Sequence, residues 1–196
     1  QEFTHGLQAS DYSFGGILGT TNINTRPSYF RKGMRLSSSA SNRTYAGRFM
    51  ATYTGGEPQK GINYSVSASR RWAREGYIDG TLYDAYSFFG AFEYQLDDKN
   101  SIALTSIWAS NRRGRSSAIT EEVFRLAGNK YNPYWGYQNG NIRNSRERKI
   151  AEPIFMLNHY YNSKSLSVNT GISFQYGTNS KARVGYYNAP NPDPTY

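Results

Sequence analysis

Ile62-Asn63-Tyr64-Ser65-Val66-Ser67-Ala68-Ser69-Arg70-Arg71-Trp72 decides the fold. From Ile62 to Ala68 every second side chain is apolar, and Trp72 resumes the series after Arg70. The positions between hold Asn63, Ser65, Ser67, Ser69 and Arg71. Successive side chains of a strand point to opposite faces, so this period of two predicts a β-strand with one apolar and one polar face. The pattern returns in 165–176, where Leu166, Val168, Thr170, Ile172, Phe174 and Tyr176 alternate with Ser167, Asn169, Gly171, Ser173 and Gln175. It returns again in 86–96, with Phe88, Phe92, Tyr94 and Leu96 on one face. There Phe89 intrudes on the polar face, and Gly90 leaves a gap in the apolar one.

Working outward, turn signals rich in Gly, Pro, Asn and Asp fall at Asn42-Arg43, Gly55–Lys60, Asp97–Asn100 and Asn162–Lys164. They divide the chain into seven predicted strands, over 33–41, 44–54, 61–74, 82–96, 101–112, 151–161 and 165–177. The phase of the fifth and sixth is ambiguous, because apolar residues occupy both faces. Most are longer than the usual mode of about 5–6 residues. A tilted strand needs about 9–11 residues to cross a bilayer. Length and alternation predict an all-β, antiparallel, membrane-spanning barrel; the core of a soluble β-sandwich would show the same alternation.

Composition fits a protein whose polar side is enclosed. Of 196 residues, 37% are hydrophobic while 16% are aromatic, with 18 Tyr. Soluble domains average roughly 45–50% apolar residues, and disordered chains are poor in aromatics. With no cysteine, disulfides, zinc–thiolate sites and thiol nucleophiles are excluded. No apolar run is long enough for a transmembrane helix. Gln1–Gly6 is polar and carries no signal-peptide core, so export would require a leader already removed.

Connections after the second, fourth and sixth strands are short, whereas a long segment at about 113–150 separates the fifth and sixth. Outer-membrane barrels have short periplasmic turns and longer extracellular loops. The two-residue Asn42-Arg43 connection is the exception on the long side. Within the long segment, Thr120-Glu121-Glu122 before Val123, Phe124 and Leu126 predicts a short helix, capped by Thr120 and ended by Gly128. Residues 111–149 hold nine Lys and Arg and three Glu, supplying most of the net charge of +9.

Ser13-Phe14-Gly15-Gly16-Ile17-Leu18-Gly19 followed by Thr21-Asn22-Ile23-Asn24-Thr25-Arg26 resembles the end of the plug domain of TonB-dependent outer-membrane transporters. There a glycine-rich turn leads into a strand of the form V-N-I-x-T-K; here Arg26 replaces the Lys. Leu126-Ala127-Gly128-Asn129-Lys130-Tyr131-Asn132-Pro133-Tyr134-Trp135-Gly136-Tyr137 is similar to an extracellular loop of the large receptors of the Bacteroidota, and so is the Pro/Asp/Tyr stretch 188–196. The resemblance implies a plug end at 1–32 and the N-terminal part of a barrel at 33–196, about seven strands of a probable total of about 22. It places Gly15, Gly16, Asn22, Asn24 and Arg26 at the plug–barrel junction. It implies energised import of a nutrient ligand such as a glycan, peptide or metal chelate, with TonB acting through a segment absent from this sequence. Outer-membrane lipid and lipopolysaccharide are the expected surroundings, with a surface lipoprotein or other envelope subunits as further partners.

In that reading Tyr64, Trp72, Phe88, Phe92 and Phe174 face lipid, and the alternate polar residues line a hydrated lumen. Arg112, Arg115, Tyr134, Trp135 and Arg143 are the candidate ligand- or partner-binding residues. Basic residues interleaved with aromatics also suit nucleic acid, but no recognition motif accompanies them and none is expected as a partner. No metal, cofactor or catalytic group is expected: the two histidines sit in different elements, and Glu121 and Glu122, being adjacent, do not face each other. Three rivals stay open: a receptor-like barrel serving as a scaffold subunit of an assembly or secretion complex, a small porin-like barrel, and a soluble basic β-protein.

Overall fold

The computed structural model describes residues 2–6 and 17–183. Its strands are β1 (Glu2–His5), β2 (Gly19–Asn22), β3 (Gly33–Ala40), β4 (Gly47–Glu57), β5 (Ile62–Ala73), β6 (Tyr83–Gln95), β7 (Asn100–Gly114), β8 (Trp135–Gln138), β9 (Asn141–Asn144), β10 (Glu147–Ala151), β11 (Ile154–Asn162), β12 (Ser167–Gln175) and β13 (Thr178–Lys181). One helix, α1 (Glu121–Ala127), interrupts them. The main sheet is antiparallel, in the order β12-β11-β7-β6-β5-β4-β3, and β10 joins the far end of β7 and carries β13. β1 and β2 form a separate hairpin, as do β8 and β9.

The predicted count of seven long strands holds. β10 and β11 are one strand in register along β7, with Ala151 opposite Ser110 and Ile154 opposite Ile107. Pro153 has no N–H to give the ladder, and the pairing lapses at Glu152-Pro153. β12 and β13 continue one another in the same way across 176–177. The sixth and seventh strands are therefore longer than the sequence predicted, beginning at Glu147 and ending at Lys181.

The first connection is corrected too. β3 stops at Ala40 and β4 starts at Gly47, so a six-residue loop replaces the expected Asn42-Arg43 turn. Ser41 donates its N–H to the Ala46 carbonyl at 3.1 Å, closing that loop. The change removes the exception noted above: 41–46, 74–82 and 115–146 all lie at one end of the sheet. Short turns occupy the other end, at 58–61, 96–99 and 163–166.

The turn at 96–99 is held by one carboxylate. Asp97 Oδ1 accepts from the Lys99 and Asn100 N–H groups at 2.7 and 2.8 Å, and Oδ2 accepts from Asn100 Nδ2 at 2.8 Å. These bonds favour the charged form, so its pKa is lowered. The folded pKa lies below the unfolded one. The contribution is therefore present above the ordinary aspartate range and lost as pH falls through the folded value. The protection factors of the Lys99 and Asn100 amides, relative to intrinsic exchange at each pH, are expected to fall in acid in the wild type but not in an Asp97→Asn variant, as hydrogen exchange would show.

Registers settle the faces. Directly opposed residues share a side, so Tyr64–Phe92–Leu104–Leu157–Ile172 forms one continuous row across five strands. Tyr53–Val66–Gly90–Ser106–Phe155–Phe174 forms the next. This face is apolar and exposed: Phe92 is 45% exposed and Phe174 62%. Phe88 stacks on Trp108 with centroids 5.2 Å apart. The other face is polar and less exposed. Thr54, Ser65, Glu93, Ser101 and Thr105 are buried, and hydroxyl pairs cross the strands from Thr52 to Ser67 (2.8 Å), Thr54 to Ser65 (2.9 Å) and Ser69 to Ser87 (2.6 Å). No helix among the described residues is long and apolar enough to cross a membrane.

Candidate functional site

Two arrangements occupy the polar side of the sheet. The first is a latch formed by the segment before β3. Asn24 Oδ1 accepts from the Arg26 N–H at 3.0 Å, an Asx turn that sets the chain direction ahead of the single 3-10 turn Pro27–Tyr29. Arg26 then reaches the middle of the sheet. Its Nε donates to Glu93 Oε1 at 2.9 Å, and the Ser28 N–H donates to Oε2 at 3.1 Å. Arg26 also lies over the Tyr160 ring, 4.2 Å from its centroid. Thr25 meets Thr105 at 3.2 Å, and Phe30 meets Phe89 with centroids 6.3 Å apart. Phe89, out of place in its strand by sequence, thus packs beneath this segment. Glu93 is 3% exposed, so its charge is held by Arg26 and Ser28 rather than by water.

Asn22 ends β2, Asn24 forms the turn and Arg26 makes the anchor. Gly15 and Gly16 lie outside the described residues, as does the stretch 188–196. In the sequence Glu93 is one of the alternate polar residues assigned to the lumen. Its local sign is that it is the one carboxylate on the polar face of β6.

The second arrangement is the loop end. Here α1 forms as predicted: Thr120 Oγ1 accepts from the Val123 N–H, and the Gly128 N–H donates to the Phe124 carbonyl at 2.9 Å. After it, Gln138-Asn139-Gly140-Asn141 makes the β8–β9 hairpin, with φ of 51° at Asn139 and 76° at Gly140. Asn-Gly with two positive φ values suits the tight hairpin turn, a signal that the sequence reading passed over.

Two asparagines fasten this loop to its neighbours. Asn132 Nδ2 donates to the Asp79 and Arg115 carbonyls at 2.8 and 3.1 Å. Asn144 Nδ2 donates to the Gly80 and Arg115 carbonyls at 3.0 and 2.8 Å. Both are almost fully buried, and each side-chain oxygen accepts from the N–H two residues on. The 74–82 loop, the start of the long loop and the hairpin therefore form one body.

Of the sequence-chosen binding residues, Tyr134, Trp135 and Arg143 line a cleft of about 540 Å³ on that body. Trp135 lies over Gly80, where an added Cβ would come within 2.1 Å of the Trp135 Cβ. Tyr134 carries the Arg146 guanidinium 5.6 Å from its ring centroid, and Arg143 donates to Gln138. Gly80→Ala is expected to displace the hairpin, because φ is +68° and the space is already filled. Trp135 fluorescence should shift to the red, as emission spectra would show; an unchanged spectrum would count against this packing.

Arg112 lines a cleft of about 510 Å³ at the loop end with Gln138, Asn139 and Arg143. It lies opposite Asp84 and Lys149 on the apolar face, and its Nε donates to Glu147 at 2.8 Å. The strand period puts the two sequence neighbours Arg112 and Arg113 on opposite faces, and only Arg113 shares a face with Tyr83 on the polar side. Arg115 lines another cleft, of about 770 Å³, together with Arg43, Arg113, Tyr77, Tyr83 and Thr81. No group of His, Asp or Glu among the described residues is arranged to hold a metal ion. No protein family, curated protein or solved structure matches the chain.

Proposed function

We propose that this chain is part of an outer-membrane TonB-dependent receptor, carrying the end of the plug and the first strands of the barrel. One observation carries the reading: the sheet is inside out for a water-soluble protein. Its exposed face is an aromatic and aliphatic belt, while the middle of its polar face, on β6, β7 and β11, is covered by the chain's own preceding segment through Arg26 and Glu93. In lipid the apolar belt would be solvated by acyl chains, and the polar face would enclose a plug.

The belt has suitable dimensions. On β6 it runs from Tyr86 to Tyr94, nine residues, whose eight steps span about 27 Å along the strand at about 3.4 Å per residue. Tyrosines at both ends suit the two interfaces of a bilayer. The open edges of β3 and β12 would pair with further strands, as backbone groups within a membrane require. The fused loops at one end would form the extracellular vestibule, and import would follow when TonB draws on the plug.

Trp108 lies within the belt and Trp135 in the loop body, which gives a direct test. In brominated-lipid bilayers, a variant retaining only Trp108 should be quenched strongly and one retaining only Trp135 weakly. Equal quenching of the two would sink the membrane reading. In cells, nutrient uptake should fail when TonB is deleted. Normal uptake with stable envelope partners on purification would favour the scaffold instead.

A further inference from the structure

Cations at the loop end are arranged differently on the two faces of the same strands. On the apolar face Arg70 has Asp84 at 3.4 Å and Arg112 has Glu147 at 2.8 Å, and Lys149, opposite Arg112, is the one cation there without an ion pair among the described residues of these strand ends. On the polar face, Arg113 lies directly opposite Arg148, which lies directly opposite Lys181. Arg48 lies directly opposite Arg71. None of these five, nor Arg43 or Arg115, takes part in an ion pair among the described residues. Arg148 has Asn179 for company at 3.3 Å, and Arg71 has the Tyr45 ring at 5.9 Å. Like charges directly across a strand pair are destabilising, so three such pairs on one face oppose folding.

The cleft of about 770 Å³ opens at this place. Arg43 enters from the β3–β4 loop, Arg113 from β7 and Arg115 from the start of the long loop, and no Asp or Glu lines it. Tyr83, Tyr77 and Thr81 supply ring faces and hydroxyls beside them. Its walls are held by the Asn132 and Asn144 bonds to the Arg115 carbonyl, and by the Tyr77 N–H donating to the Arg43 carbonyl at 2.7 Å. The three arginines thus stand on a backbone that these bonds hold in place, around one cleft.

We propose that this cleft binds a small ligand bearing several anionic groups, phosphate, sulfate or carboxylate, through Arg43, Arg113 and Arg115. Arginine presents paired N–H donors that match such oxyanions in a bidentate fashion. A bound polyanion would also relieve the Arg113–Arg148–Lys181 repulsion, so binding and stability of the loop end are linked. The inference deepens the receptor reading by naming the ligand class, and rests on it only for the side from which the ligand arrives. Its test uses purified protein, so its failure leaves the membrane reading standing.

The probe is inorganic tripolyphosphate, titrated calorimetrically into the full chain in a zwitterionic detergent. Binding is expected, weakening as salt rises, and falling about tenfold or more in Arg113→Gln and again in Arg43→Gln, which lies in a different loop. Arg70→Gln, on the opposite face, should leave it unchanged, and each variant should retain the wild-type circular dichroism. Tripolyphosphate should also raise the melting temperature of the wild type but not of Arg113→Gln. Absence of binding at millimolar probe would overturn the proposal, as would equal losses in Arg70→Gln and Arg113→Gln. A second arm uses purified lipopolysaccharide. Lipopolysaccharide binding that Arg70→Gln weakens and tripolyphosphate does not displace would assign the charge to the membrane face instead, and also overturns it.

Discussion

Replacing Arg26 with Ala is expected to destabilise the protein by about 3–5 kcal/mol, the range for removing one partner of a buried ion pair. Glu93 is 3% exposed, and Arg26 supplies its only charged partner among the described residues. After the substitution, the Ser28 N–H is the one hydrogen bond left to the carboxylate among the described residues, and the Tyr160 ring loses the cation above it. Glu93→Gln should cost less, because a neutral amide in the same place demands no counter-charge. Arg26→Met with Glu93→Leu should recover much of the loss, because two apolar groups leave no orphaned charge. Denaturant unfolding of the four proteins measures this. A loss below about 1 kcal/mol for Arg26→Ala would mean that water reaches Glu93 and that the segment does not cover the polar face.

The second large effect concerns the apolar belt. Val66 lies opposite Gly90, midway between Tyr86 and Tyr94, and is 51% exposed. In water an arginine at an exposed strand position is close to neutral. In a bilayer, Val66→Arg should cost about 2–4 kcal/mol at the midplane, falling to about 0–1 kcal/mol near the interfaces. Tyr86→Arg, at the edge of the belt, is therefore expected to be mild. The informative quantity is the difference between the two variants, measured by reversible unfolding from lipid vesicles. Two equally mild variants would place the belt in water.

How much of this was legible in the sequence depended on how local the cause was. Alternation in β5, β6 and β12 is written in adjacent residues, so strand count and polarity could be read directly. The helix at Glu121–Ala127 was equally local, because Thr120 and Gly128 carry its caps. The phase of β7 was not legible, because it carries apolar residues on both faces, Ala103 and Ile107 on one and Leu104 and Trp108 on the other. Its phase becomes visible only once β6 fixes the register, and one residue of phase exchanges Arg112 for Arg113. Glu93 was illegible for another reason: its partner lies 67 positions upstream, in a segment with no repeating pattern. Asn132 and Asn144 are similar, since their targets are backbone carbonyls that any residue could have supplied.

The latch also bears on the order in which the molecule comes together. Nearly every pairing in the sheet joins consecutive strands, so it can grow by adding one hairpin at a time, with short loops to close. Arg26 belongs to no such step. Its carboxylate lies on β6, its nearest hydroxyl neighbour, Ser101, on β7, and the ring beneath it on β11. That floor exists only after those strands have paired. The segment that leads the chain in sequence is thus seated late in assembly, and until then Glu93 is an open socket, solvated and waiting for its cation.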